Sequence, residues 1–92
     1  MIRRHMYISG EVQGVGFRYR AKYAAKQLGL TGYVRNLYDG RVEVEVQGDR
    51  ELISMFLSEI DAGSFVRMEN IESRDIPLVP EERSFTVRHD GY

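Results

Sequence analysis

The sequence predicts an α+β sandwich of the split-βαβ, or ferredoxin-like, type: an antiparallel sheet with two helices on one face. Three observations predict it. Two stretches, 17–28 and 50–61, carry apolar residues at helical spacing. Runs with strand-like alternation flank both, so the order reads β-α-β-β-α-β with a small extra strand at the end. Asp39-Gly40 joins the two central β-type runs, and that dipeptide favours a tight hairpin. Two βαβ halves joined by a hairpin close most simply into this architecture. Many unrelated functions use it, so the fold alone assigns no chemistry.

Residues 3–12 read as the first strand, with Met6, Ile8 and Val12 in one phase and His5, Ser9 and Glu11 in the other. Gly10 falls in the apolar phase and marks a bulge or a close backbone contact. His5, a lone histidine, is expected at the surface and not as a ligand. The first helix runs from Phe17 to Leu28, with Phe17, Ala21, Ala24, Ala25 and Leu28 as its apolar stripe and Gly29 at its end. Its small alanines predict close packing on a sheet. Thr31 to Leu37 and Arg41 to Gln47 are the hairpin strands. In the second of them, Val42, Val44 and Val46 alternate with Glu43, Glu45 and Gln47, which predicts one buried and one wet face. Asp49 is placed to cap the second helix, Arg50 to Asp61, whose stripe is Leu52, Ile53, Phe56, Leu57 and Ile60. Gly63 follows its end. A fourth strand spans 64–76, with a break in alternation at Asn70-Ile71 that predicts a bulge or bend. Pro77 and Pro80 bracket a loop, and Ser84 to His89 forms the short last strand.

Length and composition limit the functions open to the chain. Its 92 residues, 42% of them hydrophobic, are expected to form a single domain over 1–92. Thirteen basic and fourteen acidic residues give a formal charge of −1, against a general nucleic-acid binder. There is no cysteine, so neither a disulfide framework nor a thiolate metal site exists. No apolar leader follows Met1-Ile2-Arg3-Arg4-His5, and no window approaches ~18 consecutive apolar residues. A cytoplasmic, soluble protein with no membrane partner is expected.

Chemistry concentrates in Gly10-Glu11-Val12-Gln13-Gly14-Val15-Gly16-Phe17-Arg18. A strand leads in and a helix leads out. Gly14 and Gly16 let the backbone take φ > 0 and approach another group closely. Free N–H groups of a first helical turn then point into the loop, and the helix dipole favours an anion there. Arg18 lies in that turn, where a cation is ordinarily unfavourable by a few tenths of a kcal/mol. A bound anion reverses that sign, and the guanidinium fork matches phosphate oxygens two at a time. An arginine lying over apolar surface, beside glycines that serve only a turn, would leave the same trace. The spacing favours the anion.

Other motifs fail. Gly14-Val15-Gly16 lacks the third glycine of a dinucleotide fingerprint, and no Gly-Lys-Ser/Thr follows the loop. His5 and His89, the only histidines, lack metal-ligand spacing. An RNA-binding version of the fold wants aromatics on its central strands, where this chain has Glu43 and Glu45. Asn36 closes Gly32-Tyr33-Val34-Arg35-Asn36 in the apolar phase of its strand, and a polar amide there needs a partner. A turn-side Asn bonding its own backbone is the ordinary explanation.

The Gly10–Arg18 stretch resembles the first signature of the acylphosphatase family. Gly32-Tyr33-Val34-Arg35-Asn36, followed by Gly40, Val42 and Gly48, resembles the second. The resemblance covers nearly the whole chain and its order of elements. One departure is the end, where Arg88 is followed by His89-Asp90-Gly91-Tyr92. The resemblance implies hydrolysis of small-molecule acyl phosphates to carboxylate and phosphate, with Arg18 and Asn36 as catalytic residues. It implies neither metal nor cofactor nor covalent intermediate. The phosphoryl group would be held mainly by backbone N–H groups of Gln13, Gly14, Val15, Gly16, Phe17 and Arg18, with Asn36 orienting the water. A monomer is expected. The alternative is a non-catalytic module of the same fold that binds a small anion or regulates a partner; it would need the loop but not Asn36.

Overall fold

A computed structural model describes residues 1–90; Gly91 and Tyr92, the end of the C-terminal extension, lie outside the described residues. The elements are β1 (Ile2–Glu11), α1 (Phe17–Leu28), β2 (Thr31–Asn36), β3 (Val42–Gly48), α2 (Arg50–Asp61), β4 (Arg67–Ile76) and β5 (Phe85–Arg88). Both helices have the bounds their apolar stripes predict. Gly29 ends α1 in the left-handed region at φ 68, and the next amide, that of Leu30, reaches back to the Ala25 carbonyl at 2.9 Å.

The strands form one sheet in the order β4-β1-β3-β2-β5. β1 lies antiparallel between β3 and β4, and β2 is antiparallel to β3. The four expected antiparallel strands are therefore all present. The fifth joins β2 in parallel, so the complete sheet is mixed. Between Ser9 and Gly10 the β1–β4 register shifts, leaving Glu69 as the extra residue of a bulge one position before the predicted break. Gly10 sits there at φ 130, and a Cβ on it would lie 2.2 Å from the Arg67 carbonyl oxygen. β4 starts only at Arg67 because a turn closes first, with the Val66 amide on the Gly63 carbonyl at 3.3 Å.

α1 and α2 cover one face of the sheet. Met6, Ile8, Val34, Val42, Val44 and Val46 of the strands pack in a single core with Phe17, Ala21, Ala24 and Ala25 of α1 and Ile53, Phe56 and Ile60 of α2. Each fully buried Ile, Val, Phe or Met contributes about 1.5–3 kcal/mol of transfer free energy. The alanines let α1 lie close to the strands, as their size predicts.

Three features depart from the sequence pattern, the first two of them on the other face of the sheet. The polar phase of β3 is not wet: Glu43 and Gln47 are buried along with Arg3. Burying these charges is tolerable because each is paired. Arg3 Nε lies 2.8 Å from Glu45 Oε1, and its Nη1 lies 2.7 Å from Glu82 Oε1. Gln47 exchanges hydrogen bonds with the Val79 main chain, accepting at 2.8 Å and donating at 3.1 Å, so the Pro77–Pro80 loop is strapped over this end of the face. His5 is likewise no free surface residue, since its Nε2 lies 2.7 Å from Glu43 Oε2. Asp49 does occupy the N-cap of α2, but its side chain makes no capping hydrogen bond; only its carbonyl takes the Ile53 amide, at 3.0 Å.

Glu43 also bonds Arg35. Burial alone would raise its carboxyl pKa. The hydrogen bonds from His5 and Arg35, helped by the Arg35 charge, outweigh burial and hold it below the usual carboxylate range. With the folded value below the unfolded one, the stabilisation is complete above the unfolded carboxylate range and is lost as pH falls through the folded value. Glu43→Gln should therefore cost about 1–3 kcal/mol near pH 7, read by urea denaturation. The gap to wild type should shrink below about pH 4. A gap of constant size across that range would show that the charge on Glu43 contributes nothing.

Candidate active site

β1 runs up to Glu11 and α1 begins at Phe17, so residues 12–16 must turn the chain from sheet to helix. Gly14 and Gly16 do this at φ 72 and φ 82. A Cβ on either would meet nothing within 4 Å. Glycine is therefore required by backbone strain, about 1–2 kcal/mol for an L side chain, and not by crowding. The space beside both is open.

Gly16 is the N-cap of α1 and offers no side chain to the first turn. The first amide bonded back is that of Arg20, to the Gly16 carbonyl at 3.0 Å. Among the described residues, no backbone N–H from Gln13 to Arg18 donates a hydrogen bond within the protein. No acidic side chain occupies the first turn. The concentration of unpaired donors at the positive end of a helix dipole, with Arg18 beside them, suits an anion.

The Gln13 side chain fixes where this loop sits. Its Nε2 donates to the Leu37 carbonyl at 2.7 Å and to the Arg41 carbonyl at 2.8 Å. Those two carbonyls flank the β2–β3 turn, so the loop is stapled to the hairpin one residue beyond Asn36. Asn36 ends β2 opposite Val42 and is buried. The turn role that would explain it is filled by another residue: Asp39 Oδ1 accepts the Arg41 amide at 3.1 Å. Asn36 Oδ1 is buried with no partner among the described residues. An unmet buried acceptor ordinarily costs about 1–3 kcal/mol, and its persistence points to a group outside the protein.

One cavity of about 100 Å³ is lined by Val12, Gly14, Gly16, Phe17, Arg18, Tyr19 and Asn36. It brings together four of the residues singled out in the two signatures, Gly14, Gly16, Arg18 and Asn36, along with Phe17. Gln13 and Val15 do not line it: the first is the staple, and the second packs its side chain against the core. Among the described residues, no carboxylate or imidazole lines it. Among the described residues, no three His, Asp or Glu side chains are grouped to hold a metal ion. A larger hollow, about 320 Å³ around His5, Tyr7 and Arg74, lies on the sheet face away from the helices and shares no residue with the loop.

Two neighbours carry no signal in the sequence pattern. Tyr19 lines the cavity from the first turn of α1 while remaining largely exposed. His89 Nδ1 lies 3.3 Å from Arg18 Nη1 and accepts its N–H when the imidazole proton is on Nε2. The residues around His89 anchor the tail. The Arg88 guanidinium sits 3.7 Å over the Tyr33 ring, and Asp90 Oδ2 lies 3.6 Å from Arg35 Nη1. Both contacts join chain segments some fifty residues apart, which no local spacing could announce.

No helix among the described residues is long and apolar enough to cross a membrane. The acylphosphatase family profile matches residues 4–87. The chain is 46% identical over 88 residues to an acylphosphatase of Clostridium perfringens, covering 95% of this chain and 99% of that one. It is 42% identical over 94 residues to an acylphosphatase of Geobacillus thermodenitrificans, covering 99% and 98%. The crystal structure of acylphosphatase from Bacillus subtilis aligns with a TM-score of 0.87 at 29% identity, covering 97% of this chain and 100% of that one.

Proposed function

Since the chain belongs to the acylphosphatase family and hydrolyses acyl phosphates to a carboxylate and phosphate, we propose that Arg18, Asn36 and the loop amides carry that reaction. The phosphoryl oxygens are held by backbone N–H groups of Gly14, Gly16, Phe17 and Arg18, the loop residues that line the cavity, and by the Arg18 fork, while Gln13 fixes the loop through its side chain. Asn36 holds the water. Its carboxamide hydrogen-bonds the water and aims a water lone pair at phosphorus. Water oxygen bonds to phosphorus as the bond to the acyl oxygen breaks, and the carboxylate leaves with that electron pair. The water's proton passes to a phosphoryl oxygen, since among the described residues the cavity lining offers no carboxylate or imidazole. A carboxylate is already a good leaving group, so positioning and charge stabilisation supply most of the catalysis.

The observation that carries this reading is that Asn36, whose buried Oδ1 has no partner among the described residues, lines the same small cavity as Arg18. The test is phosphate release from benzoyl phosphate by purified protein, with a chelator present and Arg18→Ala as control. Wild type should release phosphate at a rate the chelator leaves unchanged, and the variant should not. Phosphate-dependent thermal stabilisation without release would favour the binding module instead.

The same proposal has the enzyme act as a monomer with no nucleic-acid partner. The outer strand β4 carries Arg67, Glu69, Glu72, Arg74 and Asp75, and charges of both signs discourage pairing with a second edge. On the sheet face that an RNA would need, the Tyr33 ring is covered by Arg88 and the Tyr7 ring by Arg41 at 4.5 Å.

A further inference from the structure

The cavity around Arg18 and Asn36 holds about 100 Å³. A closed site for a benzene-sized group takes about 150 Å³ by itself. The space therefore suits a phosphoryl group and a water, and the acyl part of any substrate must lie at the mouth. What the mouth presents then decides which acyl groups bind well.

Of the lining residues, Val12 and Phe17 are fully buried, and the glycines offer no side chain. Tyr19 is different. It is the third residue of α1, on the turn whose first amides have no partner among the described residues, and it is 61% exposed. Among the described residues its hydroxyl makes no hydrogen bond, and no ring or guanidinium stacks on it. Tyr23, 67% exposed, follows four residues later on the same side of the helix and continues the aromatic surface away from the mouth.

We propose that Tyr19 selects the acyl group: its ring is a platform against which a flat or apolar acyl moiety lies while the phosphoryl group occupies the cavity. The inference rests on the reading of Arg18 and Asn36 given above. It makes aromatic acyl phosphates better substrates than small aliphatic ones. Contact with the ring precedes departure of the carboxylate, so ground state and transition state share it. Such uniform binding appears in KM and not in kcat. Aromatic stacking at an exposed site corresponds to about a threefold to tenfold effect.

The test compares benzoyl phosphate with acetyl phosphate in wild type, Tyr19→Ala and Tyr19→Phe, with Arg18→Ala as a reference. Tyr19→Ala should raise KM for benzoyl phosphate by about threefold to tenfold and leave kcat and both acetyl phosphate constants within about twofold. Tyr19→Phe, which keeps the ring and loses the hydroxyl, should behave as wild type. An equal loss on both substrates would make Tyr19 a structural residue, and an unchanged ratio of the two KM values would remove it from recognition; either result overturns the proposal while leaving Arg18 and Asn36 in place. Unimpaired hydrolysis by Arg18→Ala would instead overturn the site itself, and the proposal with it.

Discussion

Arg18→Ala should abolish acyl phosphate hydrolysis, with kcat/KM falling at least about a thousandfold. Among the described residues the guanidinium is the one cationic side chain lining the cavity, so the loss falls on phosphoryl binding as well as on turnover. Arg18→Lys should recover little. An ammonium supplies a point charge but cannot span two oxygens with parallel N–H groups. The fold should not suffer. Arg18 lies in the first turn of α1, at the positive end of the helix dipole, and its side chain bonds only His89 among the described residues. Alanine there should leave the melting temperature unchanged or slightly raised, by the few tenths of a kcal/mol a misplaced cation costs. Lost activity in a protein of undiminished stability would identify a residue kept for an anion. A variant that hydrolyses normally would remove Arg18 from the reaction, and one that unfolds would give it a structural role.

Asn36→Ala should separate binding from chemistry. Phosphate should still protect the variant against thermal unfolding at near wild-type concentrations, because the loop amides and Arg18 are untouched. Turnover should fall on the order of a hundredfold or more, the usual effect of removing one preorganised polar group at a reacting centre. Stability should hold or improve by up to about 1 kcal/mol, since a buried acceptor without a partner disappears. Asn36→Asp sharpens the comparison. It retains an oxygen acceptor but sets a negative charge beside the phosphoryl group, so binding should now weaken as well. If Asn36→Ala turns over normally, the amide has no catalytic part. If it loses phosphate binding, Asn36 holds the anion and not the water.

Much of this site was legible in the chain because glycine, arginine and helix starts impose local rules. Gly14 and Gly16 were readable as positive-φ positions, and Arg18 as a cation where a helix ordinarily avoids one. Asn36 was legible only as an anomaly, a polar amide in an apolar phase with an ordinary turn explanation available. The structure removes that explanation by giving the turn to Asp39 and leaving Asn36 Oδ1 unmet. Gln13 shows the opposite case. Its place in the loop suggested a backbone amide aimed at phosphate, while its side chain proves to be the staple that holds the loop against the hairpin.

Periodicity determined the two helices, the hairpin at Asp39-Gly40 and the core face of β3, since a repeat of 3.6 or 2 residues reports directly which side of an element is apolar. It could not report what covers the opposite side. Glu43, Glu45 and Gln47 look solvated in sequence, yet His5 and Arg35 bond Glu43, the distant Val79 main chain bonds Gln47, and Arg3 bonds Glu45 together with the distant Glu82. The parallel docking of β5, the approach of His89 to Arg18 and the meeting of Arg18 with Asn36 across one opening belong to the same class. Each joins segments far apart along the chain, and only closure of the whole sheet decides which distant groups become neighbours.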